Sequence, residues 1–279
     1  MTPSTRVVAF GGGHGLGASL RALRLLRHPL DLDITAVVTV GDDGGSSGRL
    51  RADRGGLPPG DLRQALAALA DPDDPVARHT AELMQYRFHG DDALAGHPVG
   101  NLVLCGLMEL AGDPVTALDR AAAMVRSVGR VLPMSRHPVG IEADVRGGDP
   151  DRPDDVIVIT GQHEVAVSRG TVERVRLHPP EPVACTEAVA AITGADWLIF
   201  GPGSWYTSVI PHLLVPGGWL VCELPTRKNL ERHARPSARW LLDEGELARL
   251  VMGLEIVRLE EGWSAAGRHE ARVVARKSA

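Results

Sequence analysis

The chain has 279 residues, 44% of them apolar, enough to fill the core of one large α/β domain or two small ones. Its formal net charge of −5 offers no general nucleic-acid or membrane surface, and no apolar run reaches the roughly 18 residues that a membrane helix needs. Cys105, Cys185 and Cys222 are far apart, lack CxxC spacing, and read as core residues in a reducing cytosol.

The N-terminus runs directly into a strand without a signal peptide's apolar region, so the expected location is cytoplasmic. Val7 to Gly17 reads VVAFGGGHGLG, a strand that stops in a glycine cluster and leads into a helix with leucines at helical spacing. Glycines at such a junction let backbone N–H groups face an anion, and the helix N-terminus adds partial positive charge. The plain alternative is a glycine-rich βα turn with no ligand. The dinucleotide fingerprint fails, because the sixth residue counted from Gly11 is Leu16. A P-loop fails too, because Ala18 and Ser19 follow Gly17 where Lys and Ser/Thr belong.

The second strand is expected over Ile34 to Val40, and its unbroken apolar content suits a parallel sheet covered on both faces. Gly41 to Arg49 then reads as a polar loop. In a doubly wound fold an acid here binds a ribose hydroxyl, which puts Asp42 and Asp43 in that place. The same pair suits Mg²⁺, usually held by one or two carboxylates plus substrate phosphates. The alternative is a flexible turn with solvated acids. Gly44 to Gly48 matches GxSxG, but without a clear helix behind it the match reads as chance. In Leu57 to Leu66, Asp61 is placed to cap a helix or to act in catalysis, and Arg63 stands within reach of the edge that carries Asp42. A second helix is expected to run to about Phe88.

Gly96-His97-Pro98-Val99-Gly100-Asn101 opens an apolar helix ending near Gly112. An Asn inside an apolar helix wants a partner for its amide, so Asn101 and His97 are candidates for ligand contact; packing and local backbone bonds are the alternatives. Asp113 should cap a helix over Pro114 to Val125.

From about residue 129 to 180 the texture becomes β-rich, with short strands at Arg130–Pro133, Val139–Val145, Val156–Thr160 and Val172–Leu177. His163 and His178 are lone histidines and not metal ligands. Helical texture returns at Thr186 to Ile192. The strand Asp196 to Phe200 then enters Gly201-Pro202-Gly203-Ser204, a second anion-type turn. Ser204 serves there as a cap or as a hydrogen-bond donor to a phosphate. Strands at Trp219–Cys222, Ile256–Arg258 and Ala271–Val274 close the chain. The expected architecture is a doubly wound, mostly parallel α/β sheet with a β-rich insertion, forming one domain over 1–279.

GGGHGL, TVGDDGGSSGRLR, PPGDLRQAL, GHPVGNL, GRVLP and GPGSWYTSVIPHLLVPG, in that order, resemble the YvcK-type gluconeogenesis factors of bacteria, which share a superfamily with the 2-phospho-L-lactate transferase CofD. The resemblance spans roughly Val7 to Gly217. It implies a Rossmann-like fold, a cytoplasmic protein and UDP-sugar binding, notably UDP-N-acetylglucosamine, with links to cell shape, cell-wall supply and growth on gluconeogenic carbon. It further implies diphosphate contacts around Gly12, Gly13 and Gly15, and polar contacts from Asp42, Asp43, Ser46, Ser47, Arg49, Asn101, Gly203 and Ser204. His14 replaces the threonine of the family's GGGTGL pattern, exchanging a hydroxyl for an imidazole. After Gly217 the family's helix and TQPGETDGY-like segment are missing or replaced, which puts the closing of the pocket in question.

The leading expectation is therefore a nucleotide-sugar-binding regulator. A CofD-like phospholactyl-type transferase, with Mg²⁺ on Asp42 and Asp43, is the enzyme alternative; an NAD(P)-binding module is the third. Mg²⁺ is the one cofactor the acidic pair suggests. No nucleic-acid or membrane partner is expected, and a homodimer stays open.

Overall fold

The computed structural model describes residues 4–149, 151–152, 154–179, 182–200, 219–225, 231, 243, 245, 255–263 and 269–276. Four strands form a parallel sheet: β1 (Thr5–Gly11), β2 (Leu32–Val38), β3 (Arg130–Pro133) and β7 (Trp197–Phe200), in the order β3-β2-β1-β7. Both faces are covered. Val7 and Ala9 pack on one side with Leu16, Leu20, Leu62 and Leu66, while Val8 and Phe10 pack on the other with Leu132, Ala188 and Ile192. A strand buried on both faces must be apolar throughout, which is why VVAF shows no alternation.

The helices that cover the sheet are α1 (Gly13–Leu26), α3 (Pro59–Leu69), α5 (Val99–Ala111), α6 (Pro114–Met124) and α8 (Thr186–Thr193). In α3, Leu62, Ala65, Leu66 and Leu69 recur at helical spacing and are fully buried, each Leu contributing roughly 1.5–3 kcal/mol. The Asp113 carboxylate accepts from Thr116 N and caps α6, and Gly112 ends α5 in the left-handed conformation. Between these lie α2 (Gly45–Arg54) and α4 (Pro75–Gln85).

The insertion is a separate antiparallel sheet of β4 (Gly140–Arg146), β5 (Val156–Thr160) and β6 (Thr171–His178), with the short α7 (Gln162–Val167) between its last two strands. A third sheet pairs β8 (Trp219–Pro225), β9 (Glu255–Trp263) and β10 (His269–Arg276) antiparallel, in the order β8-β10-β9.

Several expectations shift. β2 begins and ends two residues earlier than expected. Arg130–Pro133 joins the parallel sheet beside β2 instead of the insertion. Gly45 to Arg54 is helix and not loop, and α4 stops at Gln85 instead of Phe88.

Candidate functional site

All four parallel strands point their C-terminal ends to one edge. The order reverses between β1 and β7, the place where open α/β sheets bind ligands. There β1 ends in Gly11-Gly12 and opens α1. Thr39 N donates to Gly11 O at 2.9 Å and fixes the turn to the end of β2. Gly12 is buried, and a Cβ there would overlap Asp61 Oδ2 and Thr39 Oγ1. Gly12→Ala is therefore expected to destabilise the fold by about 2 kcal/mol, measured as a lowered urea midpoint at unchanged slope.

Asp61 lies under this turn. It does not cap its own helix, whose N-cap is Pro58; it reaches across to α1, accepting from Gly13 N and, at 3.4 Å, from Thr39 Oγ1. Burial of its carboxyl, then the charge of Asp42, push its pKa up to about 7. The weaker pull of Gly13 N, Thr39 and Arg63 opposes this. A carboxyl poised near neutrality inside a crevice can hold or accept a proton.

Asp42 Oδ1 accepts from Gly44 N at 3.1 Å, while Oδ2 faces Gly60. Gly60 N donates to Ser47 Oγ at 3.0 Å, which joins the starts of α2 and α3, and a Cβ on Gly60 would overlap that Oγ. Asp43 turns the other way, its Oδ2 lying against Gly161 at the start of α7. The sequence neighbours thus diverge, and the carboxylate that accompanies Asp42 is Asp61. Among the described residues no group of three or more His, Cys, Asp or Glu could hold a metal. A divalent ion here would draw on Asp42 and Asp61 and take its remaining oxygens from a ligand.

Ser46, Asn101, His97 and Arg63 form a buried chain. Arg63 Nε donates to Asn101 Oδ1 at 2.8 Å, Asn101 Nδ2 donates to Ser46 Oγ at 3.0 Å, and Ser46 Oγ lies 2.8 Å from His97 Nδ1. The GxSxG serine does meet a histidine, but its oxygen is buried and already bonded twice. The exposed Arg49 donates from Nη2 to Ala95 O at 2.7 Å, beside His97.

Of the remaining candidates, Gly13 and Gly15 are partly buried in the first turn of α1, and His14 points to solvent. Gly203 and Ser204 lie outside the described residues. Phe200, however, pairs in register with Phe10, and their rings stack at 4.6 Å, so β7 ends beside Gly11. Sequence reasoning missed Thr39, and it named Asp61, Arg63 and His97 without joining them to one another or to the turn. The signals were an Asp three residues inside a helix and an Arg on the buried side of α3.

A family profile described as "2-phospho-L-lactate transferase CofD" matches residues 7–219. A Mycobacterium tuberculosis protein named "Putative gluconeogenesis factor" is 56% identical over 211 residues, covering 76% of this chain and 60% of its own length. The "Gluconeogenesis factor" of Bacillus subtilis is 38% identical over 229 residues, covering 82% and 67%. The crystal structure of a UPF0052 family member from Bacillus halodurans superposes with a TM-score of 0.68 at 37% identity, over 78% of this chain and 64% of that one. The chain thus spans 60% of the length of the mycobacterial relative. No helix among the described residues is long and apolar enough to cross a membrane.

Proposed function

Because the chain belongs to the CofD family and has gluconeogenesis factors among its relatives, we propose that it is a cytoplasmic nucleotide-sugar-binding regulator of carbon and cell-wall metabolism, and through them of cell shape. The observation that carries this reading is the crevice at the β1–β7 reversal, where the Gly12–Gly13 turn sits over Asp61 and beside Asp42. A diphosphate would take backbone N–H groups of Gly12, Gly13 and Gly15, and Asp42 a ribose hydroxyl. Protonated Asp61 would donate to an oxygen that its ionised form would repel. Gly203, Ser204, Asp43, Ser46, Ser47, Arg49, Asn101 and His14 complete the candidate set.

Titration with UDP-N-acetylglucosamine by calorimetry tests this. Saturable heat that disappears in Asp42→Asn is the expected result; no heat from folded wild-type protein overturns it. The same titration with NAD(P) decides against a dinucleotide-binding module if only the UDP-sugar binds.

A CofD-like transferase is the second reading, favoured by one observation: Asp61 is poised near pH 7 next to Asp42. Asp61 would accept the proton of an attacking hydroxyl, and Mg²⁺ would supply charge neutralisation. Mg²⁺-dependent turnover abolished by Asp61→Asn supports it.

A further inference from the structure

Arg63, Arg87 and His97 have no role in the nucleotide-sugar reading, and of their cluster only Arg49 enters it. Arg63 is only 5% exposed. Its Nε is bonded to Asn101, but its Nη1 is buried with no partner. No carboxylate forms an ion pair with it among the described residues. Burial, then the neighbouring Arg87, lower its pKa to about 10, and Asp61 opposes only weakly. A buried charge without a counter-ion costs several kcal/mol in general.

Two more guanidinium groups gather at the same loop. Arg49 donates to Ala95 O and Arg87 to Gly96 O. Neither forms an ion pair among the described residues, and both are exposed. Together they clamp the segment that leads into His97.

His97 completes the group at 7% exposure. Ser46 Oγ accepts from Asn101 Nδ2 and lies 2.8 Å from His97 Nδ1, where either partner can donate. Where the serine donates, the imidazole proton sits on Nε2 and that atom is a donor. Burial, then Arg49, and further Arg87, hold His97 in its neutral form; Asp53 alone among the facing charges acts the other way.

We propose that Arg63, Arg87, Arg49 and His97 form an anion subsite that takes a phosphate-type group, separate from the Gly12–Gly13 turn and joined to it through Ser46 and Ser47. The ligand then supplies the counter-charge that the buried Arg63 lacks. Guanidinium forks suit a tetrahedral oxyanion, and a neutral Nε2–H adds a directed bond. The subsite rests on the nucleotide-sugar reading only for its place at one end of a shared crevice. On that reading the ligand carries a second acidic group beyond its diphosphate.

Inorganic phosphate is the probe, titrated by calorimetry at pH 7.5 and low salt. Arg87→Gln, a surface change, is expected to weaken phosphate binding about tenfold, and Arg63→Lys, which keeps the charge but loses the fork, by a similar factor. Gly12→Ala, checked for a cooperative melting transition, removes whatever phosphate the turn takes and is expected to keep the binding that Arg87→Gln weakens. The subsite is overturned if wild type binds no phosphate, if Arg87→Gln binds it unchanged, or if Gly12→Ala loses it as well. Loss in Gly12→Ala alone puts the anion at the turn and leaves the nucleotide-sugar reading intact. If UDP-N-acetylglucosamine gives no heat but Arg87→Gln still weakens phosphate binding, that reading fails and the subsite stands.

Discussion

Asp61→Asn is expected to make the protein more stable at pH 8. The native carboxyl titrates near pH 7, raised first by burial and then by Asp42, whereas an unfolded Asp titrates near its ordinary value of 3.8. Between these values the unfolded state binds fewer protons than the native state. Stability therefore falls as pH rises from about 4 to about 7, then levels off, with a total of at most about 4 kcal/mol. Asn stays neutral at every pH and keeps one oxygen for the Gly13 N–H. After loss of the weaker acceptor bonds, a net gain of about 2–3 kcal/mol at pH 8 is expected, a rise in melting temperature on the order of 5–10 °C. At pH 4, where the wild-type group is already protonated, the variant should show no gain. Melting curves across pH 4–8 check both limbs, and a variant that is no more stable than wild type at pH 8 removes the argument. A group that costs stability where it functions is characteristic of a site and not of a scaffold.

The sequence revealed elements whose burial leaves a local pattern. The strand at Val7–Phe10, the α5 stop at Gly112 and the Asp113 cap each depend on residues within a few positions of one another. α2 escaped because only Ser46 and Ser47 of its ten residues are buried, so it carries no apolar stripe. β3 is four residues long, and only its pairing with β2 tells it from the insertion strands that follow. The glycine turn was legible as a strand–turn–helix junction, but its floor was not: Asp61 looks like a cap until tertiary contact carries it to Gly13. The buried chain was invisible for the same reason. His97 is 51 residues from Ser46, Asn101 is 55, and Arg63 is 38 from Asn101. GHPVGN announced a polar residue in want of a partner, while GxSxG read as chance; nothing local said that Asn101 and Ser46 meet.

Asn101→Ala should be the most destabilising change in that chain. Asn101 is 1% exposed and serves two partners with opposite needs, its oxygen taking Arg63 Nε and its amide feeding Ser46 Oγ. Alanine supplies neither. Arg63 would then have Nε and Nη1 both buried without acceptors, and breaking a buried charge's support typically costs about 3–5 kcal/mol. Ser46→Ala removes one hydroxyl but leaves Arg63 its acceptor, so about 1–2 kcal/mol is expected. Asn101→Asp should fall between them, because a carboxylate serves Arg63 well but cannot donate to Ser46. Urea midpoints at constant slope order the three variants, and the Ser46→Ala/Asn101→Ala cycle should give a coupling of about 1 kcal/mol. Equal losses in Asn101→Ala and Ser46→Ala would show that Arg63 does not depend on Asn101. The predicted order follows because the dominant loss is the acceptor beneath a buried guanidinium and not the hydroxyl bond above it.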